Sequence, residues 1–314
     1  MTDLGSKTSN ATQPLISLSD IGNLVGLPIL TLISWILPAA GAPHFCRAAA
    51  RMNAAMLTPD RQRLIRQIDA LIGDRRLPLD AHEIPHAVAA EDLLSLMNVL
   101  RTHRSRTWRG DVEVLGLENL NNALAAGNGA VLWRAHFAHY AIPYYTALVD
   151  KGFTFTHFSH VRHGFSSTRF GIRVLNPIRL SGENYFVPER VERTDAAPTG
   201  ALRTLYRKLE NNGIVSITTR GDADQYISVP FLNGMHDVAP GGPHLAYAKS
   251  AGLLPVFPLR LPDGRYEIHI MPRIKMNAAT SRNAAIEGAA VEFGRMLETY
   301  VTRYPSQWLG WMHL

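Results

Sequence analysis

The stretch Gly129-Ala-Val-Leu-Trp-Arg-Ala-His136-Phe-Ala-His139-Tyr140 decides how the rest of the chain is read. A short apolar run behind a glycine reads as a buried strand, and a turn into a helical segment follows it. The strand ends at a histidine. A ring held at the end of a buried strand has a fixed backbone and an exposed edge, which suits a general base.

Working outward, the same pattern repeats. Strands are expected at 112–115, 129–134, 153–158, 214–218, 227–231, 253–259 and 266–270, and helices at 117–126, 138–150, 197–211, 241–251 and 281–303. Strands separated by helical runs of this length give an α/β fold, a mixed central sheet flanked by helices. The turn residues of Leu261-Pro-Asp-Gly-Arg265 make the last two strands an antiparallel hairpin. Upstream, 47–77 and 87–107 carry helical periodicity, broken between Pro78 and Pro85.

The organisation expected is a flexible tail over 1–20, a membrane-associated apolar segment over 21–46, a helical region over 47–110 and an α/β domain over 111–314. From Ile21 to Cys46 there is no Asp, Glu, Lys or Arg. That is long enough for a bilayer, which needs about 20 apolar residues. Pro28, Pro38 and the glycines suit an embedded interfacial segment as well. An acidic start without a positively charged n-region argues against a cleaved leader, and the arginines that follow would place the remainder on the cytoplasmic side.

The single cysteine, Cys46, excludes an internal disulfide and a cysteine zinc site. The net charge of +6 is mainly arginine, clustered at 47–66 and 101–109. Such charge suits anionic headgroups or an acidic carrier protein; no nucleic-acid signature accompanies it. Composition leaves the oligomeric state open.

Four blocks resemble a known family. They are Val112-Glu-Val-Leu-Gly-Leu-Glu-Asn-Leu120 with Gly127-Asn-Gly-Ala-Val-Leu-Trp-Arg-Ala-His-Phe137; Gly213-Ile-Val-Ser-Ile-Thr-Thr-Arg-Gly-Asp-Ala-Asp224 running on to Val229-Pro-Phe-Leu-Asn-Gly234; Gly241-Gly-Pro-His-Leu-Ala-Tyr-Ala-Lys-Ser-Ala-Gly252 with Leu254-Pro-Val-Phe-Pro258; and Tyr304-Pro-Ser-Gln-Trp-Leu-Gly-Trp311. In order and spacing they resemble the bacterial lipid A biosynthesis (lauroyl/myristoyl) acyltransferases of the lysophospholipid acyltransferase superfamily.

The resemblance implies transfer of a fatty acyl chain from an acyl carrier protein or coenzyme A thioester to a hydroxyl of a lipid or glycolipid acceptor. The setting would be the cytoplasmic face of the inner membrane, reached as a peripheral protein or through one N-terminal span. Neither metal nor organic cofactor is implied. Transfer would be direct, since no serine or cysteine nucleophile stands in a matching motif. The family motif, histidine followed five positions later by an acid, is matched by His136 but departs at Ala141. Loss of an orienting carboxylate costs several orders of magnitude in serine hydrolases. The rival expectation is therefore a catalytically degenerate relative that binds acyl chains or a carrier protein.

Asp222 and Asp224, in a loop resembling the family's Pro-Asp-x-Asp segment, are the candidates for a relocated acid, with turn and capping work as their ordinary use. Arg162 is the candidate cationic donor to an oxyanion or phosphate, with His160 competing for that place. Arg134 shares the strand face of His136 and either reaches a phosphate or snorkels outward. His139 is a candidate substrate-binding residue that hydrogen-bonds within the site or contacts a phosphate, or else it lies idle on a helix surface. The literal His86-x4-Glu91 string lacks a strand leading into it and is set aside. His157, His160 and His163 recur at helical spacing but follow a strand, with no carboxylate among them to complete a metal site. Trp35, Trp308 and Trp311 suit either a membrane interface or the core.

Overall fold

The computed structural model describes residues 14–54, 58–106, 109–160, 162–193, 198–220, 223, 225–276 and 281–314. Four N-terminal helices, α1 (Leu18–Ile36), α2 (Ala42–Ala54), α3 (Pro59–Ile72) and α4 (Ile84–Thr102), precede an α/β unit. That unit runs β1 (Val112–Leu115), α5 (Leu117–Ala125), β2 (Ala130–Arg134), α6 (Ile142–Asp150), β3 (Phe155–His160), α7 (Asn176–Asn184), β4 (Glu189–Arg193), α8 (Pro198–Glu210) and β5 (Ile214–Thr218). A hairpin of β6 (Ile227–Phe231) and β7 (Gly234–Val238) follows, then α9 (Gly241–Lys249), β8 (Gly252–Arg260), β9 (Tyr266–Ile270) and α10 (Arg282–Arg303). Two short 3-10 turns, Pro305–Gln307 and Leu309–His313, complete the chain.

Seven strands form one sheet in the order β1-β9-β8-β2-β5-β3-β4. β8, β2, β5, β3 and β4 are parallel, and β9 returns antiparallel to β8, as the turn at 261–265 requires. β2 is buried at every residue, and β8 at all but Arg260. Helices cover both faces, so parallel strands read as unbroken apolar runs. The chain leaves β2 toward β3 and later returns from β5 to β8 on the far side, so strand order reverses around β2. In open α/β sheets the crevice outside such a reversal, at the carboxyl ends of the strands, is where ligands bind.

Among the departures from the sequence pattern, three have a plain physical cause. β4 reads Glu-Arg-Val-Glu-Arg and pairs only with β3, an edge position where charges on both faces are tolerated. α7 carries Pro177 and Gly182, which mask its periodicity. The stretch 47–77 is two helices, because Thr58 caps α3 with its hydroxyl accepting from Arg61 N and Pro59 sits at the first turn.

α1 is long and apolar enough to cross a membrane, with mean hydropathy 1.4. It buries only Asp20, Leu27 and Ser34, and leaves Leu18, Ile21, Leu24, Val25, Ile29, Leu32 and Ile36 exposed. Its start is fastened to the α/β unit and its end to α4. At the start, Thr168 donates to the Asp20 carboxylate at 2.8 Å, and Phe170 N donates to the Leu15 carbonyl. At the end, Arg101 donates to the Ser34 and Leu37 carbonyls, and the Trp35 indole donates to the Leu100 carbonyl at 3.0 Å. Trp308 and Trp311 lie in the core rather than at any surface, at 1% and 0% exposure.

Candidate active site

Beyond β2 the ladder continues for one residue, with Ala135 N donating to the Val256 carbonyl at 2.8 Å. The chain then turns, and the C-terminal segment clamps it. Ala138 N donates to the Gln307 carbonyl (2.7 Å), Leu309 N donates to the His136 carbonyl (3.0 Å), and Phe137 pairs with Trp308. Gln307 is itself fixed, its amide accepting from Arg260 N at 2.8 Å and donating to Arg260 O at 2.7 Å. The terminal Tyr-Pro-Ser-Gln-Trp block thus holds the histidine loop against the end of β8.

The His136 ring lies between Tyr140 (centroids 5.9 Å apart) and His313 (6.1 Å, nearly parallel). Its Nδ1 is buried and has no hydrogen-bond partner among the described residues. The residue as a whole is partly exposed, which leaves Nε2 as the nitrogen open to an incoming group. Burial, reinforced by His313, Arg220, Arg134 and Arg179, pushes the ring's pKa down to about 3. The imidazole is therefore neutral, the form a general base requires. Ala141 is wholly buried at the start of α6 and supplies no polar group.

A histidine–carboxylate pair does occur on this loop, one turn away. Nε2 of the wholly buried His139 lies 2.7 Å from a Glu91 oxygen, and the ring stands edge-on to Tyr266. Glu91 comes from α4, so the acid of the literal His86-x4-Glu91 string serves His139. Burial alone would raise the Glu91 carboxyl; His139, Arg260 and Arg47 outweigh it and hold the carboxyl below its ordinary value.

Arg134 does share the His136 side of the strand, but at 2% exposure it faces inward. It donates to the Tyr140 carbonyl at 2.6 Å and lies over the Tyr144 ring at 4.8 Å. Tyr140 is held from its other end by Arg179, which donates to its hydroxyl at 2.6 Å. Arg179 also pairs with Glu183 (2.9 Å), a fully buried carboxylate shared with Arg190 (2.9 Å) and His163 (3.0 Å).

At the end of β3, His160 accepts from Arg162 N at 3.1 Å. His160 also lines a small pocket of about 130 Å³ with Phe158, Ile217 and Ala239. Arg220 lines this pocket and also a larger polar cavity of about 690 Å³, shared with His313, His236 and Ser228. Arg220 therefore stands where an apolar and a polar space meet, near His136. Asp222 and Asp224 lie outside the described residues. His157, His160 and His163 span a strand and a turn and point to different surroundings: the interior, the small pocket and Glu183. Among the described residues, no three His, Cys, Asp or Glu side chains come together as a metal site.

Sequence reasoning missed Arg179, Glu183, Arg220 and His313. Arg179 and Glu183 do stand at i,i+4 spacing on α7, but their burial has no signature in the string. His313 reaches the site only through the clamp just described.

A mostly parallel α/β sheet thus presents a neutral imidazole at the carboxyl end of its central strand, near an arginine between two pockets. The family model described as bacterial lipid A biosynthesis acyltransferase matches residues 21–314, and the chain belongs to that family. Acyl transfer in lipid A biosynthesis is accordingly its class of activity. Comparison with curated proteins finds no match.

The buried histidines set the acid side of the stability profile. Burial lowers His136 to about 3 and His236 to about 4, and drives His157 well down. Between those values and the unfolded value near 6.5, the unfolded chain binds more protons, so stability falls as pH falls. Each of these rings is expected to remove about 1–2 kcal/mol by about pH 5, read as a drop in Tm between about pH 7 and 5. A Tm flat over that interval contradicts the assignment.

Proposed function

We propose that this chain transfers a fatty acyl group from a carrier-protein or coenzyme A thioester to a hydroxyl of a lipid or glycolipid acceptor, with His136 as the base. The observation that carries the reading is the neutral, part-exposed His136 ring beside Arg220. The acceptor hydroxyl gives its proton to Nε2 as its oxygen attacks the thioester carbonyl. Arg220, with Arg162 as a further candidate, meets the charge that develops on the carbonyl oxygen. As the carbon–sulfur bond breaks, the leaving thiolate takes the proton back from the imidazolium. The small pocket of Phe158, Ile217 and Ala239 suits the start of an acyl chain, and the polar cavity suits the acceptor. Asp222 or Asp224 is the proposed substitute for the acid missing at Ala141.

The lack of a carboxylate on His136 among the described residues favours a second reading, an acyl-binding protein without turnover. Incubation with acyl carrier protein or coenzyme A thioesters and lipid acceptors, read by mass spectrometry, separates the two. Acylated acceptor supports the enzyme, and retained acyl ligand with no product supports the binder.

The proposed location is the cytoplasmic face of the inner membrane, with α1 lying along the bilayer surface. A 19-residue helix is roughly 28 Å long. Fastened at its start to the α/β unit and at its end to α4, it is more readily laid along the bilayer than threaded through it. Its exposed apolar face suits the headgroup boundary. Leu18→Cys and Ile36→Cys are expected to react with a membrane-impermeant thiol reagent from the same side. Labelling from opposite sides would establish a span; Cys46, at 1% exposure, does not interfere.

A further inference from the structure

A second cavity lies away from His136. It encloses about 890 Å³ between the α1–α2 turn, α4, the end of β8 and the Tyr304–Gln307 segment, and its walls include His44, Arg47, Arg101, Arg260 and Arg303. The C-terminal clamp separates it from the His136 ring, because residues 304–307 line this cavity while His313 lines the other.

Its charges do not cancel. Asp263 is taken by Arg265 at 2.8 Å, and Arg109 is drawn to Asp150 at 2.9 Å. Glu91 gives one oxygen to His139 at 2.7 Å and meets Arg260 only at 3.5 Å. Among the described residues neither Arg47 nor Arg303 forms an ion pair with a carboxylate, and the guanidinium of Arg303 rests on the Tyr304 ring. Arg101 is 8% exposed, and its hydrogen bonds go to Asn98 and the carbonyls of Ser34 and Leu37 rather than to an acid. A concave wall with this excess of one sign concentrates opposite charge, and guanidinium forks match phosphate oxygens in particular.

We propose that this cavity is a phosphate-ester site, distinct from the acyl-transfer centre, in which Arg47, Arg260 and Arg303 hold a phosphomonoester. Its position beside the end of α1 sets it at the level where headgroups lie if α1 rests on a bilayer. A lipid headgroup and the phosphates of coenzyme A present the same chemistry, and the experiment tells them apart. The proposal does not rest on acyl transfer, since binding is read without turnover.

The full chain in neutral detergent is titrated calorimetrically with coenzyme A and with inorganic phosphate. It is also sedimented with phosphatidylcholine vesicles, plain or doped with phosphatidic acid. Arg47→Ala/Arg303→Ala removes two exposed side chains and leaves the core untouched. It is expected to weaken phosphate-ester binding about tenfold or more per arginine, while Arg47→Lys/Arg303→Lys recovers part of the loss. The control Arg203→Ala/Arg295→Ala, on α8 and α10, lowers net charge equally outside the cavity and is expected to bind as the parent does. Loss confined to the doped vesicles assigns the site to a lipid headgroup; loss shared with coenzyme A assigns it to the soluble phosphate. Equal binding by parent and cavity variant, or equal loss in the control, overturns the proposal. His136→Ala is expected to leave this binding unchanged, so failure here and failure of the acyl-transfer reading remain distinguishable.

Discussion

His136→Ala is expected to reduce acyl transfer roughly a thousandfold while leaving the fold intact. The ring's surroundings set both halves of that expectation. It makes no side-chain hydrogen bond among the described residues, so its removal strands no buried partner. The backbone geometry at this position is imposed by the clamp from 307–309 and survives truncation. What is lost is the neutral imidazole at the end of β2. A base whose pKa is depressed to about 3 is weak, because burial, and after it His313 and the cations Arg220, Arg134 and Arg179, disfavour its protonated form. Those same cations favour the oxyanion, and an anionic substrate seated among them would restore part of the imidazole's basicity. Acyl-product yield and Tm are measured on the same preparation. A variant that keeps more than about a tenth of parental activity would rule out His136 as the base.

The sheet was legible because its central strands are apolar from end to end, a pattern that parallel pairing under two helical layers demands. The histidine was legible for the same reason, standing where that run stops. The expectation of a tail over 1–20 was too long at one end, since α1 begins at Leu18 with Ser17 as its cap. What the string withheld were contacts that depend on burial. Glu91 looked like half of an isolated His-x4-Glu match and proves to hold His139, 48 residues away, because α4 packs across the loop. Arg134 looked like a group aimed outward from the sheet and proves to be roofed by Tyr140 and Tyr144. An arginine at the end of a strand reads alike in both situations, and only the aromatic residues of α6 folding back over it decide which obtains.

Glu183→Gln is expected to cost about 3–5 kcal/mol, the largest stability effect of any single side chain discussed. Glu183 has no exposed surface and meets Arg179, Arg190 and the His163 ring within about 3 Å. Burial by itself would raise its carboxyl, yet His163, Arg179 and Arg190 together hold it well below the usual carboxylate range. Its folded-state value lies under its unfolded one, so this stability is present above the ordinary carboxylate pKa and is lost as pH falls through the folded value. Glutamine keeps the shape and removes the charge, leaving the part-buried Arg179 and Arg190 guanidinium groups without their shared carboxylate. A fall in Tm of roughly 10 °C is expected at neutral pH. The consequence reaches the site through one hydrogen bond. Arg179 steadies the Tyr140 hydroxyl at 2.6 Å, and the Tyr140 ring flanks His136. Arg179→Lys keeps a positive charge near Glu183 but loses the planar fork that spans both partners. It is therefore expected to retain most of the stability while lowering the acyl-transfer rate at saturating substrate. A Tm within about 2 °C of the parent for Glu183→Gln would show that the buried quartet contributes little and that Tyr140 is held by Arg134 alone.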